Sequence, residues 1–170
     1  MPLSFRRLVT GRNADGRSVL LEDAQISEGR LGNFNFWHTQ PGAAVAQGDP
    51  LRQDQPFFAE PGGTVFRIFR LPPSPPAMTA QQARELSDAF FSEISVPSCR
   101  VDTSRHPLMH VTPTVDYIVL LSGEVSLLLD EGDPISLRPF DAVVQRATNH
   151  AWINTGSESA ILMAVMIGQA

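Results

Sequence analysis

The sequence predicts an all-β protein, an antiparallel sandwich or small barrel preceded by further strands and one helix. Three observations carry this reading. Between Met109 and Asn154, short β-rich runs follow one another closely: Val115–Leu121, Val125–Leu129, Ala142–Arg146 and Ala151–Ile153. Turn-forming residues punctuate them at Ser122-Gly123, at Asp130-Glu131-Gly132-Asp133-Pro134 and at Arg138-Pro139. Helical periodicity marks one stretch, after Thr79.

Taken in order, Phe5–Thr10 and Ser18–Leu21 read as two strands joined by a turn around Asn13-Ala14-Asp15-Gly16, with Asp-Gly as the hairpin signal. In the run LGNFNFWHTQPG, alternation puts Phe34, Phe36 and His38 on one face and Trp37 on the other. Bulky residues on both faces need cover, and a second subunit is the expected source, so the chain is expected to be a homodimer. Residues 42–63 lack periodicity and read as a long arm that covers a barrel mouth or wraps a partner. Thr64–Leu71 alternates clearly, with Val65, Arg67 and Phe69 facing one way. Proline-rich LPPSPPAM ends that strand. Thr79 with Gln82 three residues on is a capping box, and Ala83, Leu86, Phe90, Phe91 and Ile94 form the apolar stripe of the helix that follows. One domain over residues 1–170 is expected, with strands, arm and helix in 1–98 and the barrel in 99–170.

Composition narrows function. Hydrophobic residues at 42% and charged residues at 18% describe a globular chain. A net charge of -5 without a basic run argues against nucleic-acid binding. The single cysteine, Cys99, excludes an internal disulfide framework and a cysteine-rich zinc site. No segment has membrane-spanning length and the N-terminus lacks a secretory core, so a cytoplasmic location is expected.

Parity identifies the candidate site. His110, Thr112, Asp116, Ile118 and Leu120 share one parity, and the core-facing character of Ile118 and Leu120 turns His110 and Asp116 inward. His150 shares parity with Trp152 in the last run. Two imidazoles and a carboxylate meeting inside a barrel match the two-His-one-carboxylate arrangement that binds Fe(II). A buried carboxylate demands such a partner, or a pairing with Thr112, Arg146 or Tyr117, with the histidines as hydrogen-bonded core residues and no metal. Thr112, Ile118, Leu120, Arg146 and Trp152 are the candidate pocket residues. Arg146 would bind a substrate carboxylate or, the reading preferred here, form a buried ion pair.

These residues resemble the cupin motifs. His110-Val111-Thr112, Asp116 and Gly123 occupy the slots of the first motif, His-x-His, an acid and a glycine; Pro139-Phe140-Asp141, His150 and Asn154 fit the second. Thr112 replaces the second histidine and Asp116 the usual glutamate, which weakens the ligand set. The resemblance implies a double-stranded β-helix, the jelly-roll barrel. It also implies a divalent metal (Fe(II), with Mn, Zn or Ni as alternatives) at His110, Asp116 and His150. The activity implied is that of a dioxygenase, decarboxylase or isomerase acting on a small aromatic or polyketide-like acid. The competing expectation is a non-catalytic cupin that binds a small ligand and has lost full metal coordination.

Overall fold

In the computed structural model, residues 3–42, 49, 51, 57–74, 79–94 and 97–169 are described. Ten strands and one helix appear among them: β1 (Ser4–Arg12), β2 (Ser18–Ser27), β3 (Asn33–Thr39), β4 (Thr64–Leu71), α1 (Ala80–Glu93), β5 (Thr114–Ser122), β6 (Val125–Leu129), β7 (Ile135–Leu137), β8 (Ala142–Arg146), β9 (His150–Asn154) and β10 (Ala160–Gly168). All strand pairings are antiparallel. A five-stranded sheet, β3-β4-β10-β5-β8, faces a three-stranded sheet, β7-β6-β9, and β1-β2 forms a separate hairpin. This is the all-β, double-stranded β-helix architecture that the motifs implied. No helix among the described residues is long and apolar enough to cross a membrane.

The core lies between the two sheets. Val65 from β4, Ile118 and Leu120 from β5, Leu162, Ala164 and Met166 from β10, Val125 and Leu127 from β6, and Trp152 from β9 form one buried cluster. Burial along β5 alternates, with Thr114, Asp116, Ile118 and Leu120 inward and Tyr117 half-exposed outside. Gly123 makes the β5–β6 turn with φ 91°, and a Cβ there would stand 2.7 Å from Ala160. Only glycine fits that close approach.

Two expectations change here. The outer face of β3 is covered by the chain's own β1-β2 hairpin, whose Phe5 and Ile26 pack on Phe34, Phe36 and Ile68. Buried Arg7 fastens it, donating to Phe36 O at 3.2 Å and to both Asp49 carboxylate oxygens, and pairing with Glu22. The bulky faces of β3 therefore need no second subunit. On α1 the capping box forms, but Leu86 is exposed and Ser87 is buried instead, donating to Pro107 O at 2.6 Å. The buried stripe turns by one position because Phe91 and Ile94, not Leu86, seat against Cys99. Most of the arm expected over 42–63 lies outside the described residues; Phe57 and Phe58 at its end pack with Phe90.

Candidate functional site

His110 precedes β5 and His150 opens β9, and the two face each other as an isolated antiparallel bridge. Each backbone N–H donates to the other's carbonyl at 2.9 Å. That exchange sets the imidazoles side by side, their centroids 4.4 Å apart. His150 is 2% exposed, with Trp152 against one side; Phe91 of α1 closes over His110.

Both rings hold the same tautomer. Nδ1 of His110 lies 2.9 Å from Leu108 O, and Nδ1 of His150 lies 2.9 Å from Thr148 O. A carbonyl can only accept, so each Nδ1 carries the proton and each Nε2 presents its lone pair. Fixing a ring through one nitrogen to leave the other as a donor is how metal-binding histidines are held. Both rings stay neutral. Burial lowers the pKa of His110, and burial together with the neighbouring His110 pulls His150 down to about 3.

Asp116 occupies the inner face of β5 at 3% exposure, as parity required. Its partner is Thr112, whose hydroxyl donates to Oδ2 at 3.1 Å, while Oδ1 is buried without a hydrogen bond. Burial raises its pKa, against the Thr114 and Thr112 hydroxyls and the charge of Arg67. Thr114 favours the charged carboxylate by proximity, although its oxygen makes no hydrogen bond of normal geometry. Arg67, on the inner face of β4 and 4% exposed, is pulled down to about 10 by burial, opposed by Asp116. It remains a cation at neutral pH, and its guanidinium lies 5.0 Å over the Phe57 ring.

The structure therefore joins two of the three expected ligands. Among the described residues, no three His, Cys, Asp or Glu side chains come together closely enough to hold a metal ion. His110 and His150 are paired, while Asp116 is drawn to Thr112. The two-imidazole end fits a divalent cation, with neutral rings and two free lone pairs. The acid, one methylene shorter than glutamate and captured by a hydroxyl, does not complete the set.

The pocket residues also divide. Ile118, Leu120 and Trp152 face inward, packed in the core cluster. Arg146 does not: it is exposed, and Gln145 turns in instead. The register explains the correction, since Gln145 stands opposite inward Asp116 and Arg146 opposite Val115. Positive φ at Phe140 (75°) and Ala147 (49°) brackets β8, so parity cannot be counted across its ends. Neither the ion pair nor the carboxylate contact expected of Arg146 forms within the barrel. Val144, 59% exposed, lies outside with it. Asn154 holds loops, with Nδ2 donating to Leu71 O and Glu158 O and Oδ1 accepting from Gly156 N.

Arg67 and Gln145 are inward residues that were not put forward as site residues from sequence. The alternation of β4 did place Arg67 beside Val65 and Phe69, and that was the available signal. His38, which from its place beside Trp37 could reach either a pocket or a subunit seam, turns inward because a bulge between Asn35 and Trp37 sets it opposite Val65.

No family profile matches the chain. Over 47 residues (28% of this chain, 25% of the relative) it is 51% identical to phomopsin biosynthesis cluster protein C' of Diaporthe leptostromiformis. Over 58 residues (34% and 30%) it is 36% identical to the cupin-domain-containing oxidoreductase srdD of Neurospora crassa. The chain thus matches about a third or less of these relatives' own length. A cupin-family protein from Methanocaldococcus jannaschii with a double-stranded β-helix fold aligns with 75% of this chain and 94% of its own, at 11% identity and TM-score 0.41.

Proposed function

We propose that this chain, which shares segments with cupin-domain-containing oxidoreductases, is a cupin and a small-molecule enzyme of oxidoreductase type whose ligand enters the barrel beside His110 and His150. The paired imidazoles carry the proposal: two neutral rings, each fixed through Nδ1 by a backbone carbonyl, with both Nε2 lone pairs left available. A divalent ion, Fe(II) first, would be held by these nitrogens, and when bound would polarise a substrate oxygen or supply dioxygen chemistry.

The chain's own groups do the rest. Phe91 covers His110 and Trp152 flanks His150, which keeps water from the imidazoles. Ile118 and Trp152, apolar residues of the barrel interior, would flank a ring-bearing substrate. Asp116, its pKa raised by burial, can accept a proton at Oδ1. A small aromatic or polyketide-like acid is the substrate class put forward.

A non-catalytic ligand-binding cupin is the second reading, favoured by one observation: Thr112 stands in a histidine slot and ties up the acid. Metal analysis of protein purified without a nickel column decides. At least about half an equivalent, lost in both His110→Ala and His150→Ala, supports the enzyme. A metal-free wild type that also fails to take up added Fe(II) supports the binder.

A further inference from the structure

We infer that the outer face of β10, β5 and β8 is a docking surface for a second copy of this chain, with Tyr117 on the two-fold axis. The surface lies on the far side of the sheet from the core and does not depend on the metal reading. It is also not β3, where the sequence placed the seam.

Register is the first observation. Val165 of β10, Tyr117 of β5 and Val144 of β8 stand opposite one another in one cross-strand row. The rows on either side set Val119 against Ala142 and Val115 against Arg146. Their neighbours along the strands, Asp116, Ile118 and Gln145, are buried on the inner side, so these rows form the outer face. An antiparallel sheet with one face in water carries polar side chains there. In these rows only Arg146 is charged.

Exposure is the second observation. Tyr117 is 49% exposed and Val144 59%, with Ala142 exposed beside them. The β1-β2 hairpin covers the β3–β4 end of the same face through Phe5 and Ile26. Where that cover ends the face stays apolar. Three strands and three rows span about 14 Å by about 20 Å, roughly 300 Å² of sheet. That is the scale of an apolar core within a standard interface of about 800 Å² per partner, whose rim is polar.

Charge and shape choose the occupant. Each chain carries a net charge of -5, so two copies repel unless the surfaces that meet are free of acid, and no Asp or Glu stands in these rows. The one cation sits at a corner. A two-fold axis in the interface through Tyr117, running along the strands or across them, lays Arg146 over the partner's Ile167 or the partner's Ala142, never over its own copy. Tyr117 then meets itself at the centre, where aromatic residues contribute most to binding. The register is unbroken across these rows, which gives a flat surface for a second sheet about 10 Å away and no groove for a peptide. A single arginine is too little to hold an anionic membrane.

Sedimentation velocity of the full chain tests this. At about 50 μM the wild type should run as a dimer. Tyr117→Arg and Tyr117→Glu each bring two like charges together on the axis, so each should weaken self-association about 100-fold or more and run as a monomer. An equimolar mixture of the two variants should recover the dimer, because opposite charges then meet. If either variant does not fold, Val144→Arg on the same face takes its place and should be monomeric. A monomeric wild type, a wild type that stays monomeric and floats with phosphatidylserine vesicles, single variants that remain dimeric, or a mixture that remains monomeric each overturns the inference.

Discussion

Protonation of His150 gives a direct measure of how the site is built. Its ordinary value of 6.5 falls to about 3 in the fold, first through burial and then through the adjacent His110. Between those values the unfolded chain binds a proton that the folded chain refuses, so stability falls as pH falls. The contribution is full above pH 6.5 and lost progressively towards pH 3. At about pH 5, one and a half units below the unfolded value, the loss relative to pH 8 is about 2 kcal/mol. His110, also lowered by burial, acts in the same direction. Urea unfolding of metal-stripped wild type and His150→Gln at both pH values isolates the effect, because the acids titrate alike in each. Wild type should lose about 2 kcal/mol more than the variant. Equal losses would refute the argument, as would an imidazole proton shift of His150 that titrates near pH 6.5 in the folded protein. The second readout stands even if the variant folds poorly.

The remaining tests concern packing. Gly123→Ala should destabilise by about 2 kcal/mol or more by thermal melting, since its φ of 91° and its 2.7 Å approach to Ala160 leave no room for a Cβ. Leu120→Ala, fully buried between the sheets, should cost about 2–5 kcal/mol. Val144→Thr on the open outer face should change stability by less than about 0.5 kcal/mol. Arg7→Ala should cost about 3 kcal/mol by leaving Glu22 and Asp49 without their buried cation, with amide exchange in β1 accelerating more than in β5.

What the sequence made legible followed from local pattern. The bounds of β4 come out residue for residue because TVFRIFRL alternates between two faces and ends before prolines. The capping box at Thr79 is equally local. The central strand of the larger sheet, β10, was not recognised as one. Its inward Ala160, Leu162, Ala164 and Met166 alternate with outward Ile161, Met163, Val165 and Ile167, so both faces are apolar and no period of two appears. Cover for β3 is expected from a second subunit on sequence, because only the packing of Phe5 and Ile26 reveals that the chain's own hairpin supplies it. The inward turns of Gln145 and His38 share one cause. A bulge or a positive φ changes parity, and neither is written in residue type.

Parity placed Asp116 inside, and of the three protein partners the sequence offers for it, Thr112, Arg146 and Tyr117, the fold selects Thr112. Thr112 and Asp116 read as two separate weaknesses in a ligand set, each removing part of a donor. In the fold they are linked, because the hydroxyl left at 112 donates to the shortened acid at 116. Restoring a single position should therefore gain little. Thr112→His alone adds a ring but leaves a carboxylate that is too short; Asp116→Glu alone lengthens an acid that Thr112 still engages. The double variant removes the restraint and restores reach together. Its affinity for Fe(II), or for Zn(II) as a redox-inert probe, should exceed the product of the two single effects by about tenfold or more, a coupling of about 1.4 kcal/mol. Simple additivity across that cycle would mean that the Thr112–Asp116 bond does not keep the acid from the histidines.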